Sequence, residues 1–532
     1  MKPAKRFEDN GDLSWNRYCG FFDLTPEEFQ AIQNELLSQQ LLRVNQSAVS
    51  ARIFGGAHPH NVHEFVSQIP LTSYADYADF LNNKDDRAAV GKVANWMFTS
   101  VSGGSSKWIP YTEEAIQRVL DSSIAAILQA AATHKGEVNI RGGETFLNSI
   151  APSPFLTGLL FDLTCETLGL RSLPPSGNGN ETEFAQRIEK GLQMATSAGL
   201  DIVASLPSVL VRIGEMTSNS RKRRGSVAWP VAPRQLGRLA RVLLFSRWGR
   251  RPILPRDLWN PKVVLSWGLD TDSYRPRIRE YWGKDPLEFY GCTEAGILGI
   301  QAFDRQGLTL VPYSAFFEFI PEEQTGSGQT GKDFRPATVL LGGLEVGKRY
   351  EVVLSSFYGM PFFRYRVGHL VKVLSIGNSG EGASLPRIAL VGRADQTIDI
   401  GGFTRLDERT LLEALSMCSF AHGDWVAAKE LLDGAPCLHF YIETDASCTQ
   451  EQLVKSLNSC LRNVDPGYND LERMLGVDPL RVTLLKPGTF ESYREQQKRQ
   501  GANSVSAGLV RVNPPRNTIE ELLNASKRQS EI

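Results

Sequence analysis

The chain has 532 residues, too many for one compact core and enough for a large domain plus a smaller one. Lys and Arg total 58 against 59 Asp and Glu, and this net charge of −1 argues against a polyanionic partner, so no nucleic-acid binding is expected. The seven cysteines are scattered and never paired as CxxC, which speaks against a disulfide framework or a zinc ribbon, and no run approaches the ~18 apolar residues of a membrane span.

The first segment, MKPAKRFEDNGD, has no apolar core behind its basic residues, so the expectation is a soluble, cytoplasmic protein without a secretory leader. From Trp15 to Asp85 the pattern is helical and amphipathic, broken by the polar stretch GGAHPHNVH. Thr99–Lys107, TSVSGGSSK, reads as a small-residue loop. Thr112 then caps a predicted helix carrying Ile116, Leu120, Ile124, Ile127 and Leu128. From Lys262 the apolar runs VVLSWG and LEFYG predict buried strands of a mostly parallel sheet, each ending at a glycine. Tyr350–Phe357 and Leu370–Leu374 alternate like antiparallel strands, and GNSGEGASLP is a loop. After Gly392 a second α/β unit is expected, with helices near Glu408–Leu415 and Gln450–Leu461 and strands near Trp425–Ala428 and Leu438–Ile442. The final thirty or so residues look polar and part-ordered. The predicted division is a domain of residues 1–395 and one of residues 396–532.

Four segments bear on chemistry. In TSVSGGSSK, hydroxyls and glycines at this density let backbone N–H and side-chain O–H groups wrap a polyphosphate, with Lys107 as a point charge. A solvent-exposed turn accounts for the same residues. FYGCTEAG, Phe289–Gly296, follows an apolar strand, and ligands of parallel sheets bind at the strands' carboxyl ends. There Tyr290 offers an aromatic face to a purine, Thr293 a hydroxyl to phosphate and Glu294 a hard oxygen to Mg2+. The plain alternative is a strand-ending turn with a buried tyrosine. In MPFFRYRVGHLVKV, Arg364 and Arg366 alternate along a strand and face one side, either to grip phosphate or ribose or to form ion pairs. In LVGRADQTIDIGGFTRLDE, Arg393 and Asp395 precede a Gly-Gly pair that is either a swivel or the turn of a hairpin linker.

Their order and spacing are more specific than any one of them. TSVSGGSSK, YGCTE, YRVGH and GRADQ resemble the ordered motifs of the acyl-adenylate-forming superfamily. IPLTSYADY, FFEFIPEE, LEVGKRYEVVLSSFYGMPFFRYRVG and KPGTFESYREQQKRQGA resemble its Gretchen Hagen branch of acyl acid amido synthetases, over residues 60–516. The resemblance implies an α/β acyl-adenylate-forming fold, with a large N-terminal domain of parallel and mixed sheets and a small, mobile α+β C-terminal domain. It implies ATP and Mg2+, with Ser100, Ser102, Gly103, Gly104, Ser105 and Lys107 at the phosphates and Gly268 at the adenine. Tyr290 and Gly291 would also border the adenine, Thr293 the α-phosphate, Glu294 the metal, and Arg366, His369 and Arg393 the ribose side. Its activity would join a carboxylic acid to an amine or amino acid, releasing AMP and pyrophosphate.

Three positions depart from that pattern. Val101 replaces a loop glycine, His369 replaces the Asp that holds the ribose hydroxyls, and Asn513 stands where the family carries a catalytic Lys. Arg511, two residues earlier, is the candidate substitute cation. These departures keep open a relative that has lost turnover. A thioester ligase using CoA or an acidic carrier protein also remains open, since residues 221–256 hold eleven Lys or Arg and no acid. His58, His60 and His63 are better explained as a polar loop than as a metal site. The sequence around Cys292, inside YGCTE, shows no Cys-His signature, so a thiol nucleophile is not expected. Trp96, Trp108 and Phe146 are either walls of an acyl pocket or core.

Overall fold

The computed structural model describes residues 11–528 except 45–46, 100–106, 177–183, 220–252, 326–334, 378–383, 395–396, 403, 419, 421–422, 433–434, 445–448, 476–478 and 500–509. The Ser/Gly segment from Ser100 to Ser105, the basic stretch up to residue 252 and Asp395 therefore lie outside the described residues. The chain divides into two compact units, one drawn from Met1–Thr99 and Ser106–Ala394, the other from Asp395–Ile532.

In the larger unit, β1 (Val93–Thr99) and β2 (Lys107–Thr112) form an antiparallel pair in which Thr99 faces Lys107. Thr112 then caps the helix Glu113–Ala131, its side chain accepting from Ala115 N at 3.2 Å. That helix buries Leu120, Ile124, Ile127 and Leu128, the stripe expected from the spacing.

Eleven described strands make one sheet. In chain order they are β3 (Thr145–Leu147), β4 (Arg171–Leu173), β5 (Ile202–Ala204), β6 (Val263–Trp267), β7 (Leu287–Cys292), β8 (Gly296–Gln301), β9 (Leu308–Leu310), β10 (Ala315–Pro321), β11 (Arg349–Ser356), β12 (Tyr365–Ser375) and β13 (Arg387–Arg393). The spatial order is β10-β11-β12-β13-β9-β8-β7-β6-β5-β3-β4. From β4 to β7 every pairing is parallel, and from β7 to β10 every pairing is antiparallel. β7 is thus the strand at which the sheet changes character. Four strand spacings separate β12 from β7, roughly 19 Å in a flat sheet at about 4.8 Å each. Their side chains nevertheless meet at 3.0 Å, through Tyr290 and His369, so the sheet folds over until its antiparallel part faces the end of β7.

Two buried ion pairs fasten the antiparallel part. Arg364 makes a forked contact with Glu318 and also donates to the carbonyls of Val66 and Ile69, at 2.6 and 2.7 Å. Arg366 pairs with both oxygens of Glu351 at 2.9 and 2.7 Å. Period-two alternation had placed both arginines on one face, and the carboxylates on that face explain them as fasteners.

In the smaller unit, β14 (Ile398–Ile400) and β15 (Thr404–Leu406) pair as a hairpin whose turn contains Gly401 and Gly402. The glycine pair is therefore a hairpin turn. β16 (Trp425–Leu432) and β17 (Ala435–Glu443) are antiparallel, and β18 (Leu480–Leu485) runs parallel to β17. The expected polar tail contains a helix, Arg516–Arg528, that packs Ile519 and Leu522 against Val426, Tyr441, Leu485 and Phe490. The stripe is short, Ile519, Leu522, Leu523 and Ala525 within NTIEELLNASK, and the polar residues around it outweigh it in composition.

Candidate active site

The reversal between β7 and β8 is tight because both of its ends are glycine. A Cβ on Gly291 would lie 2.8 Å from the carbonyl oxygen of Gly296. Gly296 has φ +77°, and a Cβ there would lie 2.3 Å from Val119 of the capped helix. The turn between them presents Thr293 and Glu294 at the carboxyl end of the last parallel strand. Beside it, Gly268 closes β6 with φ +117°, and its nearest Cβ neighbour is Leu206, 3.8 Å away. Trp267 and Phe289, opposite each other in β6 and β7, stack at 5.0 Å just before these ends.

Four tyrosines surround the turn. Tyr111 of β2 donates to the Thr293 carbonyl at 2.7 Å, anchoring on this turn the strand that follows the Ser/Gly segment. Tyr365 of β12 donates to Glu294 Oε1 at 3.1 Å, and the Tyr290 hydroxyl lies 3.0 Å from Nδ1 of His369, also on β12. Glu294–Tyr365 and Tyr290–His369 are two rungs, four residues apart along β12 and along β7 with its following turn. The fourth, Tyr74, has its hydroxyl pushed up to about 12, by burial first and then by the negative charge of Glu294. The Lys107 ammonium lies 4.4 Å from the centre of the Tyr74 ring.

Burial holds the hydroxyls of Tyr111, Tyr290 and Tyr365 well above the ordinary tyrosine range, and nearby negative charge adds to this. All three remain protonated at any working pH. Glu294 is only 8 % exposed, and His369 faces Arg393 across the β12–β13 ladder. Among the described residues no three His, Cys, Asp or Glu converge to form a protein-only metal cage. A lone carboxylate with one oxygen already hydrogen-bonded instead suits Mg2+, which binds through one or two carboxylates while keeping water and phosphate ligands.

The structure therefore brings together Lys107, Gly268, Tyr290, Gly291, Thr293, Glu294, His369 and Arg393. Tyr290 is 2 % exposed and presents its hydroxyl to His369, which corresponds to the buried-tyrosine alternative for that position. Arg366 is committed to Glu351 and the Thr325 carbonyl, so the ion-pair alternative describes it. Ser100, Ser102, Gly103, Gly104 and Ser105 lie outside the described residues. Arg511 belongs to the smaller unit, where it pairs with Asp424 and Glu408 and lies 5.4 Å from the centre of the Trp425 ring. Asn513 takes φ +48° there, a conformation asparagine tolerates. Its side chain accepts from Lys429 N at 2.9 Å and donates to the Thr397 carbonyl at 3.1 Å. Tyr365, Tyr111 and Tyr74 were missed in the sequence. Tyr365 was findable, because alternation points it away from Arg364 and Arg366 and toward the same side as His369.

Three family models match the chain: the GH3 family N-terminal domain over residues 19–146, the central domain over residues 308–393 and the C-terminal domain over residues 421–505. The chain belongs to the GH3 family. A rice jasmonoyl–L-amino acid synthetase, GH3.5, is 26% identical over 51% of this chain and 49% of its own length. A rice protein named "Probable indole-3-acetic acid-amido synthetase GH3.12" is 21% identical over 96% of this chain and 94% of its own. The chain spans 49% and 59% of the lengths of two rice relatives, GH3.5 and GH3.6. Among solved structures, the acyl acid amido synthetase AtGH3.15 in complex with 2,4-DB aligns over 99% of this chain and 98% of its own, with TM-score 0.54 and 15% identity. A 2-hydroxyisobutyryl-CoA ligase aligns over 97% and 94%, with TM-score 0.59 and 14% identity. At such identities the structural likeness fixes the mixed α/β fold. No described helix is long and apolar enough to cross a membrane.

Proposed function

We propose that this GH3 protein is an ATP-dependent ligase that activates a carboxylic acid as its acyl-adenylate and transfers the acyl group to an amine or amino acid. The observation that carries this reading is the clamped turn. It presents Thr293 and Glu294 where the sheet changes from parallel to antiparallel, beside the strand that follows the Ser/Gly segment. The relatives named above as jasmonoyl–amino acid and indole-3-acetic acid-amido synthetases support an organic acid and an amino acid as the substrate classes.

In this reading the acid's carboxylate attacks the α-phosphorus of ATP, pyrophosphate departs, and the amine then displaces AMP from the mixed anhydride. Thr293 donates its hydroxyl toward the α-phosphate, and Lys107 with the Ser100–Ser105 segment holds the outer phosphates. Gly268 and Gly291 border the adenine, and Arg393 and His369, the latter held by the Tyr290 hydroxyl, border the ribose. Glu294 holds Mg2+, which supplies charge neutralisation at the phosphates when bound. Catalysis is by positioning and electrostatics, with no covalent enzyme intermediate. Residues 396–532 are assigned as the lid domain, and Arg511 as the cation for the departing pyrophosphate.

The test is product analysis by mass spectrometry. Aryl, indolyl and fatty acids are offered with ATP and either amino acids or CoA. An amide plus AMP is the expected outcome. A thioester as the sole product would move the chain to the CoA-ligase class, and no AMP with any acid would end the proposal.

A further inference from the structure

The turn carrying Glu294 is gripped twice, and the two grips differ in kind. Tyr111 holds the backbone carbonyl of Thr293, whereas Tyr365 holds the carboxylate of Glu294 itself. Tyr365 is in turn rigidly seated. Its ring packs on Phe362 at 4.8 Å and Tyr77 at 6.2 Å, its backbone pairs with Leu354 of β11, and it bridges to Thr72 on its other side. The Tyr77 hydroxyl accepts from Phe363 N at 2.9 Å, fixing the chain just ahead of β12. A side chain locked this firmly can fix the direction of its partner. Oε1 of Glu294 accepts the Tyr365 hydroxyl, while Oε2 accepts no hydrogen bond among the described residues.

We propose that Tyr365 is a positioning residue for divalent-cation binding: its hydroxyl fixes the rotamer of Glu294 so that Oε2 is the oxygen presented to the metal that accompanies the nucleotide. This inference rests on the ligase reading, in which Glu294 is the metal ligand. Tyr365 acts only through Glu294. Hydrogen-bonded partners of metal-binding carboxylates hold ligand orientation, and their removal typically costs 10–100-fold in metal affinity.

The test compares two hydroxyl deletions around one turn in the full chain. Tyr365→Phe is expected to raise the Mg2+ concentration for half-maximal pyrophosphate exchange by about tenfold. The half-saturating ATP concentration at excess Mg2+ stays within about twofold. Tyr111→Phe removes an equally buried hydroxyl from the Thr293 carbonyl and is expected to leave the Mg2+ requirement within about twofold. A readout independent of turnover is Mn2+ binding to the protein in the presence of ATP, followed by loss of the free-ion EPR signal. Tyr365→Phe is expected to weaken it by the same factor. Equal shifts in the two variants, or none in Tyr365→Phe, would overturn the proposal. If Tyr365→Phe does not fold, Glu294→Asp breaks the same hydrogen bond from the other side by withdrawing the carboxylate one methylene. A wild-type Mn2+ affinity in that variant would equally overturn it. Glu294→Gln separates the two readings: if its exchange is normal the metal assignment itself fails, whereas if exchange is lost but Tyr365→Phe is normal, only the role of Tyr365 fails.

Discussion

Replacing Arg364 by lysine keeps the charge and removes the fork. In the wild type the guanidinium contacts both oxygens of Glu318, two main-chain carbonyls and the Thr338 hydroxyl, with the two side chains only 7% and 1% exposed. A lysine ammonium has three donors on one point and cannot reach these partners together. The Val66 and Ile69 carbonyls would each lose a charge-assisted bond, at about 1 kcal/mol or more apiece, and Glu318 would be poorly compensated. The total is roughly 3 kcal/mol, and Arg364→Met, which leaves Glu318 uncompensated, should cost about 3–5 kcal/mol. The assay is urea unfolding of the full chain, paired with ATP half-saturation in the folded Lys variant. Stability should drop while ATP half-saturation stays within about twofold. A stability loss below about 1 kcal/mol, or a tenfold weaker ATP interaction at unchanged stability, would refute the structural reading of this arginine.

Gly296→Ala should cost roughly 3 kcal/mol, since it adds left-handed strain to a 2.3 Å clash with Val119. Val119→Ala in the same chain should recover only the steric share in thermal unfolding. Glu288 binds its proton up to about pH 8, because burial, reinforced by Asp272, outweighs Arg275. The unfolded chain releases that proton near 4.5, so wild-type stability falls as pH rises between those values. Glu288→Gln should therefore gain melting temperature relative to wild type at pH 9 and show no such gain at pH 4. Leu522→Ala, at a fully buried position of the C-terminal helix, should destabilise the smaller unit by about 2–5 kcal/mol, and an unchanged melting curve would show that helix to be dispensable.

The elements that were legible carried strong local signals. The Thr112 cap, the two glycine-ended strands and the alternating strands of the antiparallel part all formed within a few residues of where periodicity put them. The place of Thr293 and Glu294, on a turn at the carboxyl end of a glycine-ended strand, was legible in the same way. The sheet's return onto itself was not, because no local pattern encodes which distant strand ends will meet. For the same reason Tyr290 read as an open aromatic face, although its hydroxyl is turned inward to His369. For Arg364 and Arg366 the sequence left anion binding and ion pairing both open, because their carboxylate partners, Glu318 and Glu351, lie in strands fifteen or more residues away. Tyr111 and Tyr365 could be assigned only once β2, β7 and β12 were placed together. The C-terminal helix was hidden because its apolar stripe, Ile519, Leu522, Leu523 and Ala525, is short and set in a polar segment.

The adenylation step is tested most directly by exchange of labelled pyrophosphate into ATP, measured in wild type and in Glu294→Gln. The expected result is exchange that requires a carboxylic acid and falls by at least about 100-fold in the variant, with an unchanged circular dichroism spectrum. Near-normal exchange in Glu294→Gln, or exchange that proceeds without any acid, would contradict it.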